Sequence, residues 1–190
     1  MTTWHWVRHG PTHQKTFTGW RDVPADLSDR AVLDRLNAYL PSDALVISSD
    51  LLRSIDTASA IQGGRTRLPH DPGLREFHFG TWDGVGFDTV SSWHPDLSRA
   101  YWEEPGDHTP PGGESWNVSA ARVASVVRRV SAAHAGAHII AVAHFGVILT
   151  QVQAVLGVTA KEVLAHKIDN LSVTTLHPDT GRATHINHTP

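Results

Sequence analysis

Residues 3–7, 44–48 and 137–143 are short runs of mostly apolar residues with almost no charge among them. Runs of this length, bounded by polar turns, read as strands buried on both faces. Between them the apolar positions take a helical spacing. A helix is expected to open at Leu27-Ser28, with Ser28 as N-cap and Ala31, Leu33, Leu36 and Leu40 on one face, and to stop at Pro41. Further helices are expected over 50–62, ended by Gly63-Gly64, over 115–133, over 147–156, ended by Gly157, and over 159–164. Residues 66–69 and 74–77 read as short extended pieces. Residues 171–177 and 182–187 read as two closing strands around the turn Pro178-Asp179-Thr180-Gly181.

Strands alternating with helices imply an α/β fold, a three-layer α/β/α sandwich with a mostly parallel central sheet. The 190 residues fit one domain. Residues 80–114, rich in Gly, Trp and Pro, read as a loop-rich lid inserted into it, with two short helices near 87–93 and 97–103. In such sheets, chemistry gathers at the carboxyl ends of the strands.

Charge and composition narrow the function. Sixteen Lys and Arg against 19 Asp and Glu give a net charge of −3. No broad basic surface follows from that balance, so nucleic acid and membrane surfaces are not expected partners. No cysteine is present, which excludes disulfides and thiolate chemistry. The first residues have no signal-peptide pattern, and no apolar run approaches the ~20 residues of a membrane span. A cytoplasmic protein is the expectation, with a homodimer left open.

Three polar clusters fall at or just beyond expected strand ends: Arg8-His9-Gly10, Ser48-Ser49-Asp50-Leu51-Leu52-Arg53 and Ala143-His144-Phe145-Gly146. Parallel neighbours would bring two arginines and two histidines into one crevice. Guanidiniums match phosphate oxygens in bidentate fashion, and neighbouring positive charge keeps an imidazole nitrogen unprotonated and nucleophilic. Metal ligation suits such a set poorly, because a cation does not welcome flanking guanidiniums. Glu76, among apolar residues in Leu74-Arg75-Glu76-Phe77-His78-Phe79-Gly80, is the candidate acid for a leaving alcohol.

Val7-Arg8-His9-Gly10-Pro11-Thr12 resembles the Arg-His-Gly signature of the histidine phosphatase superfamily, the phosphoglycerate mutase-like proteins. The likeness continues through Ser49 to Ala58, Leu74-Arg75-Glu76, Phe79 to Gly84, Pro111 to Ser115, Val142 to Ile148 and Asp169 to Thr174. It implies His9 as nucleophile, Arg8, Arg53 and His144 on the phosphoryl group, and Glu76 as proton donor and later base. It implies no metal and no cofactor, and a small phosphate ester as partner.

Phe17-Thr18-Gly19-Trp20 is similar to the substrate loop of the cofactor-dependent mutases, so Thr18 and Gly19 are candidate substrate contacts. Lys15 and Phe79 stand where that branch commonly has asparagine and tyrosine, and 82–113 is short for the mutase lid. The resemblance therefore favours small-molecule phosphatases, including the α-ribazole phosphate phosphatases, over a mutase. A phospho-ligand binding module is the third alternative. His78 is a possible substrate contact, and Asn170 either steadies the phosphate pocket or satisfies backbone. Glu114 reads as a cap for the helix at Ser115. Trp82, Trp93, Trp102 and Trp116 pack the lid or stack on substrate. His177, His185 and His188 are expected to carry no function.

Overall fold

Residues 1–190 are described by a computed structural model. Its strands are β1 (Thr3–Arg8), β2 (Leu45–Ser48), β3 (Thr66–Arg67), β4 (His138–Ala143), β5 (Val173–His177) and β6 (Arg182–His188). They form one six-stranded sheet in the order β3-β2-β4-β1-β5-β6. The first four in that order are parallel, β5 is antiparallel to β1, and β6 is antiparallel to β5. The helices are α1 (Arg30–Tyr39), α2 (Leu52–Ile61), α3 (Phe87–Trp93), α4 (Pro95–Glu103), α5 (Trp116–Ala133), α6 (Phe145–Leu156) and α7 (Ala160–Val163).

The central strands are apolar throughout because both faces are covered. Trp4, Trp6, Ile139, Ala141 and Ala143 belong to one core, with the buried valines of α5 and the apolar face of α6. Val7, Ile140, Val142 and Val46 point the other way, into a core with Leu33 and Leu36 of α1 and Ala58 and Ile61 of α2. Two cores on opposite faces of one sheet are the three expected layers.

Several boundaries differ from expectation, three of them with a clear cause. Helix α1 begins at Arg30 because Asp29, rather than Ser28, accepts the Val32 N–H (3.1 Å). Asp50 lies outside α2, since its carboxylate is gripped by the Arg75 guanidinium at 2.7 and 2.6 Å. The Leu52 N–H of α2 is instead accepted by Asp22, thirty residues earlier (2.7 Å). Residues 74–77 are not a strand: a 3-10 turn, Pro72–Leu74, leads into them. Arg122 of α5 holds the carbonyls of Gly73 and Arg75 at 2.9 Å, taking acceptors that a ladder would need.

The lid leaves and rejoins the body at one point. Thr81 donates its N–H to Pro111 O (2.9 Å) and Glu114 its N–H to His78 O (2.8 Å). Gly80 has φ +54°, and a Cβ there would lie 2.1 Å from Pro111 O, so only glycine fits.

Candidate active site

The order β2-β4-β1 sets three carboxyl ends side by side. The ladder continues past the strands, with His9 N–H bonded to Ala143 O (3.1 Å) and Ser49 N–H to Val142 O (3.2 Å). Arg8-His9, Ser49 to Arg53 and His144 therefore share one sheet edge, as the spacing of the clusters predicts. The His9 and His144 rings lie 5.1 Å apart, centre to centre.

His9 is buried, and its Nδ1 lies 2.7 Å from Gly10 O. A carbonyl only accepts, so Nδ1 carries the proton and Nε2 keeps its lone pair. Burial, followed by the charge of Arg53, lowers the ring's pKa from 6.5 to about 3, with Arg8 adding to the effect. The imidazole is neutral at ordinary pH.

Arg53 is 1% exposed and has no bonded carboxylate. Its Nε–H goes to His144 Nδ1 (3.2 Å), and its Nη groups go to Arg21 O (3.0 Å) and Gly19 O (2.6 Å). Three of a guanidinium's five N–H groups are thus spent on holding it, and two are left for a ligand. Arg8 donates once, to Ile168 O (2.6 Å), and its buried Nε has no partner. Two sequestered cations without paired carboxylates form a costly arrangement that an anion relieves.

His144 is fully buried. Because Arg53 Nε can only donate, Nδ1 of His144 is an acceptor, and Nε2–H faces Ser49 Oγ (2.8 Å) and Ser54 Oγ (3.2 Å). Both ring nitrogens are in use. Beside His9, the ring is held by Arg53, Ser49 and Ser54.

Glu76 is buried where neither a strand nor a helix carries it. Its Oε1 accepts the Phe77 N–H (3.0 Å) and its Oε2 the Gly146 N–H (3.1 Å). Burial raises its pKa, and those two N–H groups, Arg53 and Arg8 only partly offset that. Trp20 Nε1 and Arg122 both reach its carbonyl (2.8 and 3.3 Å). Arg8, His9, Arg53 and Glu76 line one cavity of about 290 Å³, together with Thr12, Gln14, Thr16, Thr18 and the rings of Phe17, Phe79, Phe87, Trp102 and Phe145.

Other candidates divide. Thr18 is in the cavity wall, whereas Gly19 acts through its carbonyl on Arg53. Asn170 is not in the wall: its Nδ2 donates to His9 O (2.8 Å), steadying the histidine from behind. His78 is also outside it, because its Nδ1 accepts the Gly80 N–H (2.9 Å) and shapes the turn into the lid. Glu114 does not cap α5; Ser115 does, accepting the Val118 N–H (3.2 Å). Glu114 binds Arg122 (3.0 and 2.8 Å) and the His78 N–H (3.1 Å). Trp82 and Trp116 are core residues; Trp93 and Trp102 are exposed, and Trp102 faces the cavity. Ser49, Ser54 and Thr57, whose hydroxyl accepts the Gly10 N–H (2.9 Å), complete the support. Only their place beside Arg53 in the sequence hinted at that role.

The sequence profile of the histidine phosphatase superfamily (branch 1) matches residues 5–188. The chain belongs to that family. Phosphoglycerate mutase-like protein 4 of Arabidopsis thaliana is 31% identical over 75% of this chain, which spans 66% of that protein's length. The glucosyl-3-phosphoglycerate phosphatase of Mycolicibacterium vanbaalenii is 32% identical over 80% of this chain and 72% of its own. Relatives named 2,3-bisphosphoglycerate-dependent phosphoglycerate mutase match as well. Among solved structures, Bacillus stearothermophilus YhfR superposes with a TM-score of 0.86 at 26% identity, over 98% of this chain and 95% of its own. The mycobacterial glucosyl-3-phosphoglycerate phosphatase Rv2419c does so at 0.84 and 27%, over 99% of both. No helix is long and apolar enough to cross a membrane.

Proposed function

We propose that the chain is a metal-independent phosphomonoesterase that acts on a small phosphorylated metabolite through a phosphohistidine at His9. One observation carries this reading: the free Nε2 belongs to a ring that lines the same cavity as two unpaired guanidiniums and a buried carboxyl. The phosphoryl group sits against the unspent N–H groups of Arg8 and Arg53, which also take up charge on its oxygens in the transition state. His9 Nε2 bonds to phosphorus as the ester P–O bond breaks. Glu76, whose hold on a proton is strengthened by burial, gives its proton to the departing oxygen. The phosphorylated ring is cationic, and its Nδ1–H remains on Gly10 O. Glu76, now ionised, then takes a proton from water as that oxygen attacks phosphorus. The P–N bond breaks, and inorganic phosphate and neutral His9 are released.

Hydrolysis is favoured over mutase transfer because beyond Arg8 and Arg53 the cavity wall holds no cation for a second acidic group. The test is quenching in alkaline detergent during turnover of radiophosphate-labelled p-nitrophenyl phosphate in the presence of a chelator, followed by acid treatment of the trapped protein. A phosphoenzyme labile to acid is expected, absent in His9→Ala. Full activity in His9→Ala, or turnover only with added 2,3-bisphosphoglycerate and transfer to phosphoglycerate, would refute the reading.

A further inference from the structure

Two helices of the lid present aromatic rings to the cavity. Phe87 at the start of α3 is 52% exposed and Trp102 near the end of α4 is 41% exposed, although both are large and apolar. They flank buried Phe17, at ring-centre distances of 4.6 Å for Phe87 and 6.1 Å for Trp102, the latter within 21° of parallel. Phe79 and Phe145 extend the same wall. Apolar surface left wet inside a concave site is surface that a ligand covers.

The charges in this cavity are Arg8, Arg53 and Glu76, and the proposed reaction uses all three. Arg21 approaches from outside but is occupied by Gln14 (3.0 Å), Thr16 (3.1 Å) and, more loosely, Asp83 (3.9 Å). A carboxylate or second phosphate on the leaving group would find no further cation in the wall, only the rings, the hydroxyls of Thr12, Thr16 and Thr18, the Gln14 amide and the Glu76 carboxyl.

Past Glu76, Phe79, Trp102 and Phe145, which it shares with the main cavity, lies a narrow recess of about 40 Å³. Tyr101 lines it, and the Tyr101 hydroxyl is buried without a hydrogen-bond partner. Buried polar groups in folded proteins are nearly always satisfied, so an orphan bordering a site is available to a ligand.

Building on the phosphatase reading, we infer that the alcohol released here is uncharged, with a flat apolar body lying against Phe87, Trp102 and Phe145. One small acceptor group reaches the recess, where the Tyr101 hydroxyl donates to it. The lid thereby selects by ring contact and a single hydrogen bond rather than by charge.

The test compares kcat/KM for benzyl phosphate and 3-phosphoglycerate, both esters of primary alcohols, in the full chain. Benzyl phosphate is expected to lead by about tenfold to a hundredfold, the range that a few apolar contacts supply. Trp102→Ala should cut that lead about tenfold, mainly through KM, while Trp102→Phe keeps most of it. Tyr101→Phe should lower kcat/KM for 4-acetylbenzyl phosphate about tenfold more than for benzyl phosphate, as loss of one buried hydrogen bond implies. A preference for 3-phosphoglycerate, or ratios unmoved in the variants that fold, overturns the inference. If p-nitrophenyl phosphate is still turned over in a His9-dependent way, the phosphatase reading survives that result. No turnover of any ester overturns both.

Discussion

Arg53 donates its Nε–H to Nδ1 of His144 at 3.2 Å, and that bond makes the histidine an anchor for the guanidinium. With Nδ1 accepting and Nε2–H turned to Ser49 and Ser54, the ring is held neutral, its pKa pushed well below 6.5 by burial and then by Arg53.

Removal of the anchor should therefore resemble removal of the arginine. His144→Ala and Arg53→Ala are each expected to lower kcat by about 10²–10³, the scale for losing one preorganised donor to transition-state charge. The double variant should lose little more than either alone. Fully multiplicative losses in steady-state kinetics would mean that His144 touches the phosphoryl group directly.

Glu76 gives the pH dependence a direction. Its raised pKa keeps the proton available, and kcat/KM should fall as pH climbs through that value. Glu76→Gln should flatten the basic limb. It should also cost about 10²–10³ in kcat/KM for benzyl phosphate but less than about tenfold for p-nitrophenyl phosphate, whose leaving group needs little help. Equal losses on both esters would point to another acid.

Gly146 bears on the same carboxyl by sterics. A Cβ at this position would sit 2.7 Å from Glu76 Oε1 and 3.1 Å from the Phe77 ring. Gly146→Ala should push the carboxylate off its two N–H partners and reduce kcat by about 10–10², the usual cost of misplacing a reacting group by ~1 Å. The loss should follow the leaving-group pattern of Glu76→Gln. A fully active Gly146→Ala would show that the carboxyl's position is not critical.

Acid stability should fall early. His5, His9 and His144 are buried and neutral, with His5 lowered to about 4 and His9 to about 3, chiefly by burial. Below about pH 6.5 the unfolded chain binds protons that the native chain refuses, so stability is lost as pH decreases from there toward those values. Each such group contributes about 1.4 kcal/mol per pH unit. Urea midpoints measured from pH 7 to pH 5 should drop accordingly. His5→Gln, which keeps a partner for Thr175, should make the slope shallower by about that amount.

How much of this was readable beforehand follows from the range of the interactions. The layers, the strand ends and the grouping of His9, Arg53 and His144 follow from apolar runs and from the rule that parallel strands gather chemistry at their carboxyl ends. Partnerships between residues far apart in sequence were not readable. Arg122 fixes the Glu76 backbone from 46 residues away, and Asp22 accepts the Leu52 N–H from 30. Such bonds leave no periodicity. For the same reason His78 reads from the sequence as a substrate contact, although it hydrogen-bonds to backbone outside the cavity wall. The cap of α1 was misplaced by one residue because Ser28 and Asp29 are both good N-caps, and only the fold chooses Asp29.

The pinch between Gly80 and Pro111 gives the molecule a modular character. Reaction floor and selective roof share one covalent neck, and Asp83 and Val85 also hold the backbone of residues 17–21, so a rewritten roof must keep residues 81–85 for Arg53 to keep its bearings. Exchange of residues 86–110, with Gly80 and residues 81–85 retained at the root, is the economical route to a new specificity on an unchanged reaction.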